Sequence, residues 1–227
     1  RSTLFPYTTL FRSSIALYKG DKAVKFTNAN NVVENNTPVA PIDIVAETVW
    51  IGNDAVVTVT VANTTGTVTI TVNGKEQTVD LVGGVATVTV SAEDLVGGEN
   101  KVTVTYNGPE YAPATVDDTI LVLDGVITNS TYKYYFDASG NLVSSVPNGV
   151  TLDFQGLFLG KFPVYINKAV NVVSTTGDAL FDCGASYAGN NINSFNIVAG
   201  GYNTNIAGLE FINYCLYIKG ASNVTNR

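Results

Sequence analysis

Thr and Val alternate along much of the first half of the chain. Val57-Thr58-Val59-Thr60-Val61 is followed by Val68-Thr69-Ile70-Thr71-Val72, Thr87-Val88-Thr89-Val90 and Val102-Thr103-Val104-Thr105-Tyr106. A period of two puts the apolar residues on one side of an extended strand and Thr on the other. Each run therefore predicts a strand with one buried and one wet face. The pattern predicts strands at Ile42–Trp50, Ala55–Val61, Thr67–Val72, Gln77–Leu81, Val85–Ser91, Lys101–Tyr106 and Ala114–Leu123. Asn73-Gly74 and Gly83-Gly84 supply the left-handed conformations that tight hairpins need. Short strands with turns about every 8 to 12 residues predict a compact β-sandwich over residues 42–123.

The rhythm changes at Asp124-Gly125. Strands shorten, and Gly and Asn separate them. The pattern places strands near Thr151–Phe154, Val164–Ile166, Val170–Ser174, Ala179–Asp182, Ser194–Val198, Asn205–Asn213 and Cys215–Lys219. The unit Asn205-Ile206-x-Gly208-Leu209-x-Phe211-x-Asn213 reads as one rung of a right-handed parallel β-helix. Asn223-Val224-Thr225 reads as its restart one coil later, and Asn171-Val172-Val173-Ser174 as an earlier rung. An insertion falls around Ala185 to Asn193. Apolar residues stack inward in such a coil, and Asn or Gly turns its corners. The fold expected is all-β, an Ig-like sandwich over 42–123 followed by the truncated N-terminal coils of a parallel β-helix over 124–227.

Composition narrows the functions. Charged residues make up 14% and hydrophobic residues 45%, which argues against disorder. The net charge is -7 with no basic run, so nucleic acid is not an expected partner. The chain has no His, which removes the commonest zinc ligand and general base. No metal or cofactor is expected. Asp153, Asp178, Asp182 and Glu210 do not recur at rung spacing, and Lys161, Lys168 and Lys219 are isolated. No catalytic residue is assigned, and an enzyme is not expected. The alternative is a polysaccharide lyase or glycoside hydrolase, which needs converging carboxylates or a calcium site with a basic residue. Asp117-Asp118 reads as a solvated strand edge rather than a calcium pair, and Trp50 and Tyr106 as core or corner aromatics.

Weaker signals concern ligands and modification. Tyr132, Tyr134 and Tyr135, with Phe136, form an aromatic run. It reads either as a sugar-stacking platform or as a cover over the open end of a core. Tyr202 is a further candidate for a carbohydrate-binding surface. Asn35, Asn63, Asn129 and Asn223 carry the Asn-x-Ser/Thr acceptor pattern. Cys183 and Cys215 are separated by 32 residues, a spacing that fits neighbouring coils of a solenoid. They read either as a disulfide between neighbouring coils or as two small buried side chains.

The first residues read as foreign to the fold. Residues 3–13, Thr-Leu-Phe-Pro-Tyr-Thr-Thr-Leu-Phe-Arg-Ser, resemble a sequencing adapter translated in one frame, so residues 1–13 are set aside. The chain contains no Met and is expected to be an internal piece of a longer gene. Leu4 to Leu17 is too short and polar to span a membrane. Residues 14–41 read as a linker or the end of a preceding module. Ala23-Val24-Lys25-Phe26 would be that module's last strand, and Asn28 to Pro41 the linker.

Three stretches carry a family resemblance. They are Gly66-Thr67-Val68-Thr69-Ile70-Thr71-Val72-Asn73-Gly74-Lys75, Gly84-Val85-Ala86-Thr87-Val88-Thr89-Val90, and Asn100 to Gly108 followed by Tyr111. They resemble the bacterial-type Ig-like repeats of adhesin-like surface proteins from methanogenic archaea. Val150-Thr151-Leu152-Asp153-Phe154-Gln155-Gly156, Tyr165-Ile166-Asn167-Lys168, Gly208 to Asn213 and Gly220 to Thr225 resemble the β-helix entry of the same proteins. The resemblance implies a repeat-built fragment of an extracellular, cell-surface adhesin. Its Ig-like module would act as spacer and its β-helix in adhesion. The implied partner is a cell-surface or polysaccharide ligand, with membrane contact only through an anchor outside this fragment.

Overall fold

The computed structural model describes residues 16–19, 22–28, 31–62, 64–160, 162–182, 194–212, 215–221 and 223–226, with side chains from Thr37 onward except at 215 and 226. The adapter-like segment, Asn63, Lys161 and Cys183 lie outside the described residues. The fold is all-β. It forms two compact units. One contains residues up to Glu47, Asp54–Leu95 and Glu99–Ile120; the other contains Thr48–Asn53, Val96–Gly98 and residues from Leu121 on.

The first unit opens with an antiparallel sheet of β1 (Ala16–Lys19), β2 (Lys22–Asn28) and β3 (Asn31–Pro38). The linker expected over Asn28 to Pro41 is therefore largely strand. Val32 and Val33 sit level with Phe26 and Lys25, and these β-branched residues favour a strand despite their Asn-rich surroundings. Asn35 lies in β3.

A second antiparallel sheet joins β4 (Ile42–Ala46), β6 (Ala55–Val61) and β9 (Val85–Val90). A third has β7 (Thr67–Val72) between β8 (Lys75–Asp80) and β10 (Gly98–Asn107), with β11 (Thr115–Leu123) beyond β10. The period-two pattern is obeyed. Val57, Val59, Val61, Val68, Ile70, Val72, Val88, Val90, Val102, Val104 and Tyr106 are buried, while the intervening Thr residues are more exposed. At the β7–β8 hairpin, Asn73 and Gly74 both take positive φ, 49° and 84°. This is the conformation of a tight turn that matches strand twist. The expected strand Ile42–Trp50 divides in two, because β5 (Val49–Trp50) pairs in parallel with Val122 and Leu123 of β11.

In the second unit the chain passes through three parallel sheets in turn. The first sheet holds β12 (Val126–Ile127), β13 (Thr151–Phe154), β16 (Asn171–Val173), β19 (Asn205–Ala207) and β22 (Thr225–Asn226). The second holds β14 (Leu157–Leu159), β17 (Leu180–Asp182) and β20 (Glu210–Ile212). The third holds β15 (Val164–Ile166), β18 (Ser194–Ile197) and β21 (Cys215–Ile218). Thr151 is level with Asn171, Asn171 with Asn205 and Asn205 with Thr225. The first and last of these circuits are equal in length. The middle one, from Asn171 to Asn205, is longer; Ala185 to Asn193, where the insertion is expected, lie outside the described residues.

Three expectations change here. The run Asn205–Asn213 is two strands in different sheets, β19 and β20, with Gly208 between them. Leu157–Leu159 is a strand that the pattern missed. The restart falls at Thr225, not Asn223. Asn223 instead repeats Asn203: both have φ 58°, and the Asn223 amide donates to Asn203 Oδ1 at 3.1 Å.

Parallel in-register stacking puts like residues above one another. Phe158, Phe181 and Phe211 form one such column. The Phe158 and Phe181 rings stack with centroids 4.5 Å apart and 9° between planes, close to the inter-strand spacing. Phe154 and Phe195 meet Phe181 at 5.5 and 5.6 Å. Around these rings lie Leu152, Val164, Ile166, Val172 and Ile197, all buried.

Candidate functional site

The aromatic run forms a single helical turn, Tyr132–Tyr135. Thr128 and Thr131 set it up: Thr128 N–H donates to Thr131 Oγ1 at 2.8 Å, and Tyr132 N–H donates to the Thr128 carbonyl at 2.9 Å. One turn sends its side chains in different directions, so the tyrosines do not make one platform. Tyr132 stacks on Phe136 at 4.7 Å, meets the Phe162 ring edge-on at 5.1 Å and donates to the Pro163 carbonyl. Tyr135 is buried. Its hydroxyl donates to Asp124 Oδ1 at 3.0 Å and accepts from the N–H groups of Asp124 and Gly125 at 3.1 and 3.0 Å. Burial, reinforced by the Asp124 charge, pushes the Tyr135 phenol far above its usual range, so it stays neutral.

Tyr134 is half-buried, with Lys133 Nζ 4.9 Å from its ring centre. Tyr134 and Tyr135 help Leu121, Leu123, Asp124 and Val126 line a cavity of ≈ 120 Å³. That is well below the roughly 300 Å³ from which ligand pockets usually start. Tyr202 stands exposed in the turn between β18 and β19.

Asp153 and Asp178 of the second unit are held by local donors. Asp153 accepts from Thr175 N–H at 2.8 Å, Thr175 Oγ1 at 2.6 Å and Gln155 Nε2 at 2.7 Å. Burial raises its pKa, but these hydrogen bonds outweigh it and leave the carboxyl below its usual value. Asp178 is lowered by the Thr176 hydroxyl and by Gly156 N–H, the latter at 3.1 Å. Asp182 is level with Leu159 and Ile212, and Glu210 with Leu180, so the acids do not stack into a column. Lys168 donates to the carbonyls of Val143, Ser144 and Val146, and burial lowers its pKa. Among the described residues no three His, Cys, Asp or Glu side chains converge as a metal site.

In the first unit, Glu110 gathers three hydroxyls. Thr65 Oγ1 lies at 2.7 Å, Thr64 Oγ1 at 2.8 Å and Tyr106 Oη at 3.0 Å. The Thr65 bond, then that of Thr64, holds the carboxyl down at about 2. Sequence reasoning missed this cluster, because its members lie up to 46 positions apart and form no motif. Asp117 pairs with Lys101 at 2.9 Å and Thr103 at 2.7 Å, while Asp118 accepts from Thr119 N–H. The two acids serve different partners and do not act as a pair. Asn129 is exposed in the turn before Tyr132, and Asn223 is exposed in the bend before β22. Cys215 lies in β21, level with Ser194. No family model, curated protein or solved structure matches the chain.

Proposed function

We propose that the chain is a piece of an extracellular, cell-surface adhesin-like protein. Residues 42–123 form an Ig-like β-sandwich that acts as a spacer. Residues 124–227 begin a right-handed parallel β-helix that presents a binding face. The observation that carries this reading is the second unit's repeated passage through three parallel sheets, with strands kept in register even where one circuit is longer than its neighbours. Such a coil grows by adding circuits, each stabilised by its neighbours. Its outer faces offer rows of side chains at fixed spacing, suited to a long, repetitive ligand.

Partners are a surface or polysaccharide ligand rather than nucleic acid. No helix among the described residues is long and apolar enough to cross a membrane.

The test is retention of the full chain on immobilised cell-wall material and a glycan array, with released sugar assayed in the same samples. Retention without new reducing ends or unsaturated products is expected. Release of either product supports the enzyme alternative. Failure to adhere to any surface overturns the adhesive reading.

A further inference from the structure

The third sheet of the second unit carries a column on its outer face. The register aligns Val164 with Phe195 and Leu216, Tyr165 with Asn196 and Tyr217, and Ile166 with Ile197 and Ile218. Val164, Ile166, Phe195 and Ile197 are buried in the aromatic core. Alternation along each strand then turns Tyr165, Asn196 and Tyr217 to the opposite face. On the other side of Tyr165, Asn141 bridges to it in parallel. The column thus reads Asn141, Tyr165, Asn196, Tyr217. Strands step by about 4.8 Å, so the two tyrosines lie about 10 Å apart.

The asparagines are tied down. The Asn196 amide donates to the Val164 carbonyl at 3.1 Å and to Ser194 O and Oγ, each at 2.9 Å. Asn141 is held through its N–H by Asp137 Oδ1 at 2.9 Å. Asn196, level with both tyrosines, is therefore held by bonds to its own and the neighbouring strand. Tyr217 is 45% exposed and Tyr165 is half-buried. Neither is drawn into the core aromatic cluster.

We propose that this column binds a neutral, extended, β-1,4-linked polysaccharide lying along the stack of strands, with Tyr165 and Tyr217 as its stacking platforms. The proposal rests on the adhesive reading above and names its ligand class. A pyranose ring presents C–H groups on its faces and packs them on an aromatic ring. In a two-fold β-1,4 ribbon the same face recurs at every second sugar, and here an aromatic recurs at every second strand. The column itself contains no cationic side chain, which matches a neutral chain rather than an acidic one. Platforms set on strands lose little backbone freedom on binding.

Affinity electrophoresis and calorimetry on the full chain, with cellohexaose, cellotetraose and cellobiose as probes, test the proposal. Cellohexaose is expected to bind more tightly than cellobiose, which is too short to reach both rings. Tyr217→Ala is expected to weaken cellohexaose binding about fivefold, and Tyr217→Phe to change it less than about twofold. Tyr165→Ala is expected to act in the same direction. If that half-buried site unfolds on substitution, Tyr217→Ala alone carries the test. Absence of cellohexaose binding, or equal binding by wild type and Tyr217→Ala, overturns the proposal. If the wild-type chain still adheres elsewhere on the glycan array, the adhesive reading stands while this site falls.

Discussion

The residue that most changes the picture of the first unit is Glu110. Its carboxylate accepts from Thr65, Thr64 and Tyr106, which lowers its pKa from 4.5 to about 2. A carboxyl with a depressed folded-state pKa contributes stability above its unfolded pKa and loses it as pH falls toward the folded value. The contribution is therefore complete above about pH 4.5 and gone near pH 2. Glu110→Gln is expected to lower the melting temperature at pH 7 and to flatten the wild-type decline between those two pH values. Thermal melts at several pH values check this; an unchanged acid slope counts against it. Nothing local marked Glu110 in the sequence, whereas the burial of Tyr106 followed from its place in the alternating run.

At the scale of elements, the corners decide where each strand ends. Gly200 has φ 100°, and a Cβ there would lie 2.1 Å from the Asn167 carbonyl oxygen. Gly156 has φ 79° but open space around its missing side chain. Gly200→Ala is expected to destabilise the second unit by more than about 2 kcal/mol, combining backbone strain with a main-chain clash. Gly156→Ala is expected to cost about 1 kcal/mol, from backbone strain alone. Chemical denaturation of the two variants checks the difference; equal losses would mean that the close approach at Gly200 relaxes easily. Strand positions in this region were largely legible, since Thr151–Phe154 and Val164–Ile166 match their expected bounds. Leu157–Leu159 was not, because three apolar residues carry no readable period.

For the whole molecule, the central question is what holds the parallel stack together. Phe181 touches Phe154, Phe158, Phe195 and Phe211 and is fully buried. Phe181→Ala is expected to destabilise the second unit by about 3–5 kcal/mol, because a cavity opens where the parallel strands stack. Denaturation followed by far-UV circular dichroism checks it, and a loss under about 1 kcal/mol would mean that the neighbouring strands can close over the gap. Alternation by itself determined the Thr/Val strands β6, β7, β9 and β10 and which of their faces is buried, because a period of two is a local property of extended chain. The Asn and Gly spacing determined that the second half turns often. Only tertiary structure decided which strands align, since the circuit from Asn171 to Asn205 is longer than those on either side although the strands themselves look alike. It also decided which tyrosines are enclosed and which face outward. Tyr135 and Tyr217 are the same residue type, and their fates differ because one meets Asp124 inside the unit while the other occupies the outer side of a strand.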